Sequence, residues 1–341
     1  MGKRKLIFVV SLIMSCLSID FSYAQDPTFT QFYSNPMYLN PAFAGTANCP
    51  KLHLNIRDQW PNIPGSFVTT SFSLDQNIPS INSGYGIQAV YDRAGEGILN
   101  YSQVSGIYAK SFKINRKFSV SGGAQVTVNH KFLDRSKLVF GDQITSSGGV
   151  VFQSAEDPNI NDNATFVDFG LGAILFSERF YLGAAFHHIN KPSDTFFSSY
   201  SVSGVVVEGV SKVPVKTTIH GGANIPTNGN VRKGIIGDSP YITAGFVYQQ
   251  QGAADQMNLG LSLTNKSLSG GLWYRMNSEN SDAVMMILGY SIDQYIIGYS
   301  YDYTVSELSN ATGGAHEISL RIQLPCKVKP KKLQPILCPK F

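Results

Sequence analysis

Charge is scarce in this chain of 341 residues, where Asp, Glu, Lys and Arg make up only 15%, against about 25% in ordinary soluble domains. The formal balance is +4, too small and too dispersed for a nucleic-acid partner. Long apolar runs are also missing. Beyond the first two dozen residues nothing approaches the roughly 20 consecutive apolar positions of a membrane-spanning helix. Catalytic signatures are lacking as well: there is no Gly-x-Ser-x-Gly elbow, no His-Glu-x-x-His and no phosphate-binding Gly-x-x-x-x-Gly-Lys loop. His53, His130, His187, His188, His220 and His316 show no metal-ligand spacing. They read as polar residues of a lumen or rim, with the adjacent His187 and His188 on opposite faces of a strand. No cofactor or metal is expected, and no enzyme activity. Only an outer-membrane lipase working with rim Ser and His residues escapes these exclusions.

What is present is alternation. In 294–323, Tyr295, Ile297, Tyr299, Tyr301 and Tyr303 fall on one face and Gly298, Ser300, Asp302 and Thr304 on the other. Next, Ile318, Leu320, Ile322 and Leu324 oppose Glu317, Ser319, Arg321 and Gln323. Side chains on a strand alternate with period two, so this sheet has an apolar face and a polar one. Aromatics reach 12% and glycines number 32, which suits a lipid-facing wall. A closed barrel is the one way to cross a bilayer without helices while every backbone group stays paired.

Similar runs are expected at 52–57, 67–74, 84–92, 98–112, 118–132, 165–176, 180–188, 215–225, 241–250, 257–264, 268–276, 283–292, 295–304 and 317–324. The fold class is therefore all-β: a transmembrane antiparallel barrel of about 14 strands, an even number as bacterial barrels prefer. Connections at 114–116, 177–179, 265–267 and 293–294 are tight, and those at 134–163, 189–214 and 305–316 are long. The two classes fall on opposite rims, with 226–240 as the exception. Short turns belong to the periplasmic side, which places both chain ends there.

The flanks complete the organisation. Residues 1–24 read as a signal peptide: basic Lys3, Arg4 and Lys5, an apolar run, and the small-residue site Ser22-Tyr23-Ala24. A lipoprotein signal ending at Cys16 is the rival. Cleavage lowers the formal charge from +4 to +2. Residues 25–48, rich in Phe, Tyr, Asn and Pro without alternation, are expected to enter the lumen as a plug; the bland alternative is an irregular periplasmic arm. The barrel occupies 49–325. A basic, Pro-rich stretch at 326–341 is expected to be a periplasmic tail.

Two constellations stand out. Arg57, Arg275, Asp302, Glu317 and Arg321 all belong to the polar face, and closure brings the first strand beside the last. They are expected to form one lumen charge network with a structural role, holding the plug or stiffening the wall, because buried charges persist only when paired. Cys49 precedes the first strand and Cys326 follows the last, so closure suggests a Cys49–Cys326 disulfide. Cys338 is the rival partner for Cys326, and all three staying reduced is the third possibility.

Several segments, in order, carry a family likeness. Gln25-Asp26-Pro27, Gln31-Phe32-Tyr33, Asn35-Pro36 and Leu39-Asn40-Pro41-Ala42-Phe43-Ala44-Gly45 open the set. Arg57-Asp58-Gln59-Trp60-Pro61, Gly271-Leu272-Trp273-Tyr274-Arg275, Gly298-Tyr299-Ser300-Tyr301-Asp302, His316-Glu317-Ile318 and Cys338-Pro339-Lys340-Phe341 continue it. The chain resembles the PorP/SprF family of type IX secretion system membrane proteins. That resemblance implies an outer-membrane barrel of a Bacteroidetes-type bacterium, serving protein export and gliding-associated adhesin delivery. It implies as partners a periplasmic ring lipoprotein and its partner, a peptidoglycan-binding lipoprotein, or the C-terminal domain of a secreted adhesin, within outer-membrane lipid. A channel for hydrophobic small molecules is the alternative reading.

Overall fold

The computed structural model describes residues 26–140, 143–144, 162–196, 200–202, 205–207, 211–227, 240–278, 281–305 and 312–325. The expected signal peptide, most of the 134–163 connection, and the basic tail with Cys326 and Cys338 lie outside the described residues.

The alternating runs fold as strands. The first seven are β1 (Lys51–Gln59), β2 (Phe67–Ile78), β3 (Ser83–Ala94), β4 (Leu99–Lys113), β5 (Ser119–Leu133), β6 (Asn163–Phe176) and β7 (Phe180–His187). A short hairpin, β8 (Tyr200–Val202) with β9 (Val205–Val207), stands apart as its own two-stranded sheet. Seven more strands follow: β10 (Lys216–Pro226), β11 (Tyr241–Gln251), β12 (Ala254–Asn265), β13 (Leu268–Met276), β14 (Ser281–Ile292), β15 (Tyr295–Thr304) and β16 (Ala315–Gln323). β10 takes the place beside β7, and β16 pairs back onto β1, so fourteen strands close into an antiparallel barrel. Each expected run falls on one of them, overhanging its end by at most one residue.

Period two decides which side each residue faces. On β4, Tyr101, Gln103, Ser105, Ile107 and Ala109 are buried in the lumen, while Val104, Tyr108 and Phe112 are exposed on the outer wall. The outer wall is thus apolar and aromatic, as a bilayer requires, and the lumen is lined mainly by Ser, Thr, Asn, Gln and small residues. Left-handed backbone at Lys266 (φ 53°) and Asp293 (φ 49°) closes two of the shortest turns. Strand parity puts those turns on the rim where β1 begins and β16 ends, hereafter the chain-end rim. The long connections between β5 and β6 and between β7 and β10 leave from the opposite, loop rim.

The lumen is filled by the amino-terminal arm. It carries a 3-10 turn at Phe32–Ser34, one α-turn at Pro36–Leu39 and another 3-10 turn at Pro41–Phe43. Proline at the first helical position costs no hydrogen bond, and the Asn40 side chain accepts the Ala42 amide at 2.9 Å. The main apolar core therefore joins arm to wall: Phe32, Tyr33, Leu39 and Phe43 pack with Ile174, Tyr181, Val247, Trp273, Met285 and Ile287. Each such aromatic buried contributes about 1.5–3 kcal/mol.

One expectation needs correcting. The barrel's first and last strands do meet at the chain-end rim, but the start of the described chain does not lie there. Asp26 bonds Gln251, at the loop-rim end of β11, whereas Gly45 bonds Asp75 near the chain-end rim. Strand counting locates where the barrel begins; it says nothing of how far the arm before it climbs. This arm threads the whole lumen.

Candidate functional site

A charged hub fixes the middle of the arm. Register places Arg57 of β1 opposite Glu317 of β16, and β15 brings Asp302 alongside. The Arg57 guanidinium lies 3.0 Å from Asp302 Oδ2 and 3.7 Å from Glu317 Oε2; Arg275 of β13 reaches the same Asp302 oxygen at 3.1 Å. All four are at least 95% buried. Two cations face two anions, and the space between them is occupied by Thr30. Its hydroxyl lies 2.8 and 2.7 Å from the Asp302 oxygens and also accepts from both arginines. Glu317 accepts the backbone amides of Thr30 at 2.7 Å and Gln31 at 3.2 Å, together with the Asn55 side-chain amide. Every ionic group is directed at another or at the arm, so the hub is built to hold the arm.

Arg321, expected in the same network, is not part of this cluster. It shares the face but faces His53 across the β1–β16 pair. Four residues along a strand, at about 3.3 Å each, set it roughly 13 Å from Glu317. Cys49 is disulfide-bonded, with its partner outside the described residues.

Polar side chains extend the grip along the arm. Asn35 donates to Ser71 and accepts from Gln88, and Asn40 donates to the carbonyls of Ala173 and Ala184. Opposite them the wall withdraws. A Cβ at Gly84 would overlap the Gly45 backbone, one at Gly123 the Pro41–Ala42 peptide, and one at Gly172 the Asn40 amide. Only glycine leaves the arm room at these three places.

A second polar cluster sits at the loop rim. His188 Nε2 lies 2.8 Å from Asp26 Oδ2 and its Nδ1 lies 3.0 Å from Asp168 Oδ2. Lys216 Nζ is 3.5 Å from the same Asp26 oxygen. Burial alone would raise the Asp26 carboxyl, but the charges of His188 and Lys216 outweigh it and hold it well below the usual range. For His188, burial lowers the imidazole, and Asp26 and Asp168 more than reverse this, raising it well above its ordinary value. The expectation that His187 and His188 point to opposite faces fails because β7 ends at His187. A left-handed turn at His188 (φ 57°) brings its side chain inward as well. Of the other histidines, His53 and His220 are buried in the lumen, and His316 faces outward beside Tyr299.

The hub's charged members were visible as like-faced charges in the sequence. Thr30, Asn35, Asn40 and the Asp26 cluster were not, because their partners lie dozens to hundreds of residues away and leave no local pattern. A run of Asn, Gln and Thr among aromatics, too polar for a core and too apolar for a solvent arm, was the available signal.

Cavities lie along the arm, two of them at its ends. One of about 130 Å³ at the loop rim is lined by Asp26, Tyr101, Lys131, Phe166, Asp194 and Val213, among others. Another of about 60 Å³ at the chain-end rim is lined by Gly45, Asn48, Asn77, Ser111 and Phe176, among others. They share no lining residue, and Pro41–Phe43 lie between them against β5 and β6.

Among solved structures the chain is similar to the Ralstonia pickettii toluene transporter TbuX, at 11% identity and a TM-score of 0.47, covering 85% of this chain and 93% of that one. It is similar to a Pseudomonas aeruginosa FadL homologue at 12% identity and a TM-score of 0.47, over 83% and 92%. No curated protein matches the chain. The sequence matches type IX secretion system membrane protein PorP/SprF over residues 21–322, most of its length, and the chain belongs to that family.

Proposed function

We propose that this outer-membrane barrel is a non-enzymatic docking component of type IX secretion, serving protein export and gliding-associated adhesin delivery. On this reading residues 1–24 are removed as a signal peptide, and the chain-end rim with the tail at 326–341 faces the periplasm. There it engages the periplasmic ring lipoprotein and its partner, or a peptidoglycan-binding lipoprotein. The loop rim faces outward, where it holds the C-terminal domain of a secreted adhesin.

The observation that carries this reading is the seated arm. A transporter needs a continuous path beside its plug; here a hub of buried charges, glycine seats and an apolar core hold the arm from rim to rim. The cavities at its two ends share no lining residue. A barrel filled in this way is suited to binding proteins at its rims.

Affinity purification from the native membrane in mild detergent, with co-purifying chains identified by mass spectrometry, tests it. Recovery of ring lipoproteins or a large secreted protein is the expected result. A clean monomer carrying a bound hydrophobic small molecule would favour the transporter instead.

A further inference from the structure

The turns of the chain-end rim differ sharply in charge. The β2–β3 connection (79–82) carries none, 265–267 carries only Lys266, and 293–294 only Asp293. Between β4 and β7 the same rim bears Lys110, Lys113, Arg116, Lys117 and Arg179 against a single acid, Glu178. All five cations are exposed, and none of them has an ion-pair partner among the described residues. Like charges gathered in the open on one arc of the rim call for an anion from outside the chain.

The two turns that carry these cations are well fixed. Asn115 Oδ1 accepts the amides of Lys117 and Phe118 at 2.8 and 2.9 Å, and the Ile114 amide donates to the Phe118 carbonyl at 3.1 Å. In the other turn the Ser177 hydroxyl accepts the Phe180 amide at 3.2 Å, and the Ser177 amide donates to the Phe180 carbonyl at 2.8 Å. Phe118 and Phe180 then meet edge to face across the end of β6, their ring centroids 5.6 Å apart. Cations from two hairpins are thereby held on one arc.

Lys110 decides what kind of anion the arc faces. Period two puts it on the outer wall with Tyr108 and Phe112, and its ammonium lies 5.8 Å from the Phe112 ring centroid. Phe112, Ile114 and Phe180 are 55, 60 and 41% exposed on the same stretch of wall and rim. Opposite Lys110 on β5 stands Gly122, where an added Cβ would meet nothing within 4 Å. A lysine on a lipid-facing wall lays its stem along the hydrocarbon and sends its ammonium to the headgroup layer. An acidic protein docked beyond the rim would meet Arg116 and Lys117 but not a side chain on the bilayer face. We propose that the β4–β7 arc of the chain-end rim binds the phosphate headgroup of an anionic phospholipid, with Lys110 reaching it from the wall and Lys113, Arg116, Lys117 and Arg179 from the rim. Aromatic side chains at this level suit the boundary between headgroup and acyl chain. The site requires only a lipid-facing outer wall and is independent of the docking role proposed above.

The test uses the purified full chain in detergent micelles doped with equal amounts of phosphatidylglycerol and phosphatidylethanolamine. Native mass spectrometry reads the ratio of the two lipids retained on the folded chain. The parent should retain phosphatidylglycerol in preference. Lys110→Ser and Arg179→Ser should each lower the ratio about fivefold, the scale of one basic residue at an anionic surface, and Lys110→Arg should keep it. Lys266→Ser, elsewhere on the same rim, should leave it unchanged. A parent ratio of one would overturn the proposal, and so would an equal fall in Lys266→Ser, which marks unspecific attraction between charges. A fall in Arg116→Ser and Lys117→Ser with none in Lys110→Ser would overturn it in favour of an acidic protein beyond the rim. Heat-modifiable migration in gels reports barrel assembly. Lys110 and Arg179 belong to different hairpins, so if one variant does not assemble the other reads the same ratio; failure of both would assign these residues to barrel folding and defeat the proposal.

Discussion

Arg57 and Asp302 stand 245 residues apart in sequence and 3.0 Å apart in the lumen, and the Thr30 hydroxyl of the arm sits within hydrogen-bond reach of both. The barrel's closing seam and its plug are thus secured by one cluster. Asp302→Asn neutralises the carboxylate that Arg57 and Arg275 share, and uncompensated buried charge costs about 3–5 kcal/mol. The urea midpoint of unfolding, followed by the loss of heat-modifiable migration, should fall accordingly. Arg57→Met combined with Asp302→Leu should cost less than the two single changes added together, as expected for residues in one network.

The glycine seats give a second test. Gly84→Val puts a side chain where the Gly45 backbone lies, whereas Gly106 of β4 has nothing within 4 Å of the same added atom. Gly84→Val should free the lower arm, raising maleimide labelling of Thr46→Cys. Gly106→Val should leave labelling at the parent rate.

Fold and site differ in how far they could be read from residues alone. The strands were legible because a bilayer outside and a polar lumen inside impose period two on each crossing, as in Tyr295 to Thr304, where every second side chain changes character. The hub was legible only as shared sidedness: Arg57, Arg275, Asp302 and Glu317 meet, but Arg321 lies on the same face too far along β16. Sidedness has no length scale, which is why it overreached. The grip of Asn35 on Gln88, or of Asp26 on His188, depends on a chain path that no local pattern encodes.

Trp273 offers an optical readout of the arm. It is 98% buried, with its ring 5.0 Å from that of Phe32 in an edge-to-face contact. The chain has only two tryptophans, so Trp60→Phe isolates it. In that background Phe32→Ala should shift emission to longer wavelength as water enters. It should also lower stability by about 3–5 kcal/mol, the usual cost of emptying a phenylalanine site. Unshifted emission would place the arm elsewhere.

Attachment of the arm's start should depend on pH through Asp26 and His188. His188 is raised in the folded protein, so its contribution is full below the ordinary imidazole value of about 6.5 and is lost as pH rises through the raised value. Asp26 is lowered, so its contribution is full above about 3.9 and is lost only in stronger acid. Between those limits Pro27→Cys labelling, expressed relative to Thr46→Cys to cancel the reagent's own pH dependence, should be slowest. It should climb toward alkaline pH. His188→Asn should abolish the climb.

The disulfide at Cys49 ties the point where the arm leaves the lumen. Register continues past the formal ends of the strands: Lys51 pairs Gln323, and the Leu324 amide donates to the Pro50 carbonyl at 2.9 Å. Cys49 is the next residue on one side, and Cys326 follows Leu324 by two residues in the sequence on the other. Cys338 is a further twelve residues along the chain. We therefore expect Cys49–Cys326, which a non-reducing peptide map would show directly. In Cys326→Ser, Cys49 should react with maleimide without prior reduction, whereas in Cys338→Ser it should stay protected. The reverse pattern would mean that the bridge folds the basic tail back onto the exit of the arm instead of extending the β1–β16 seam.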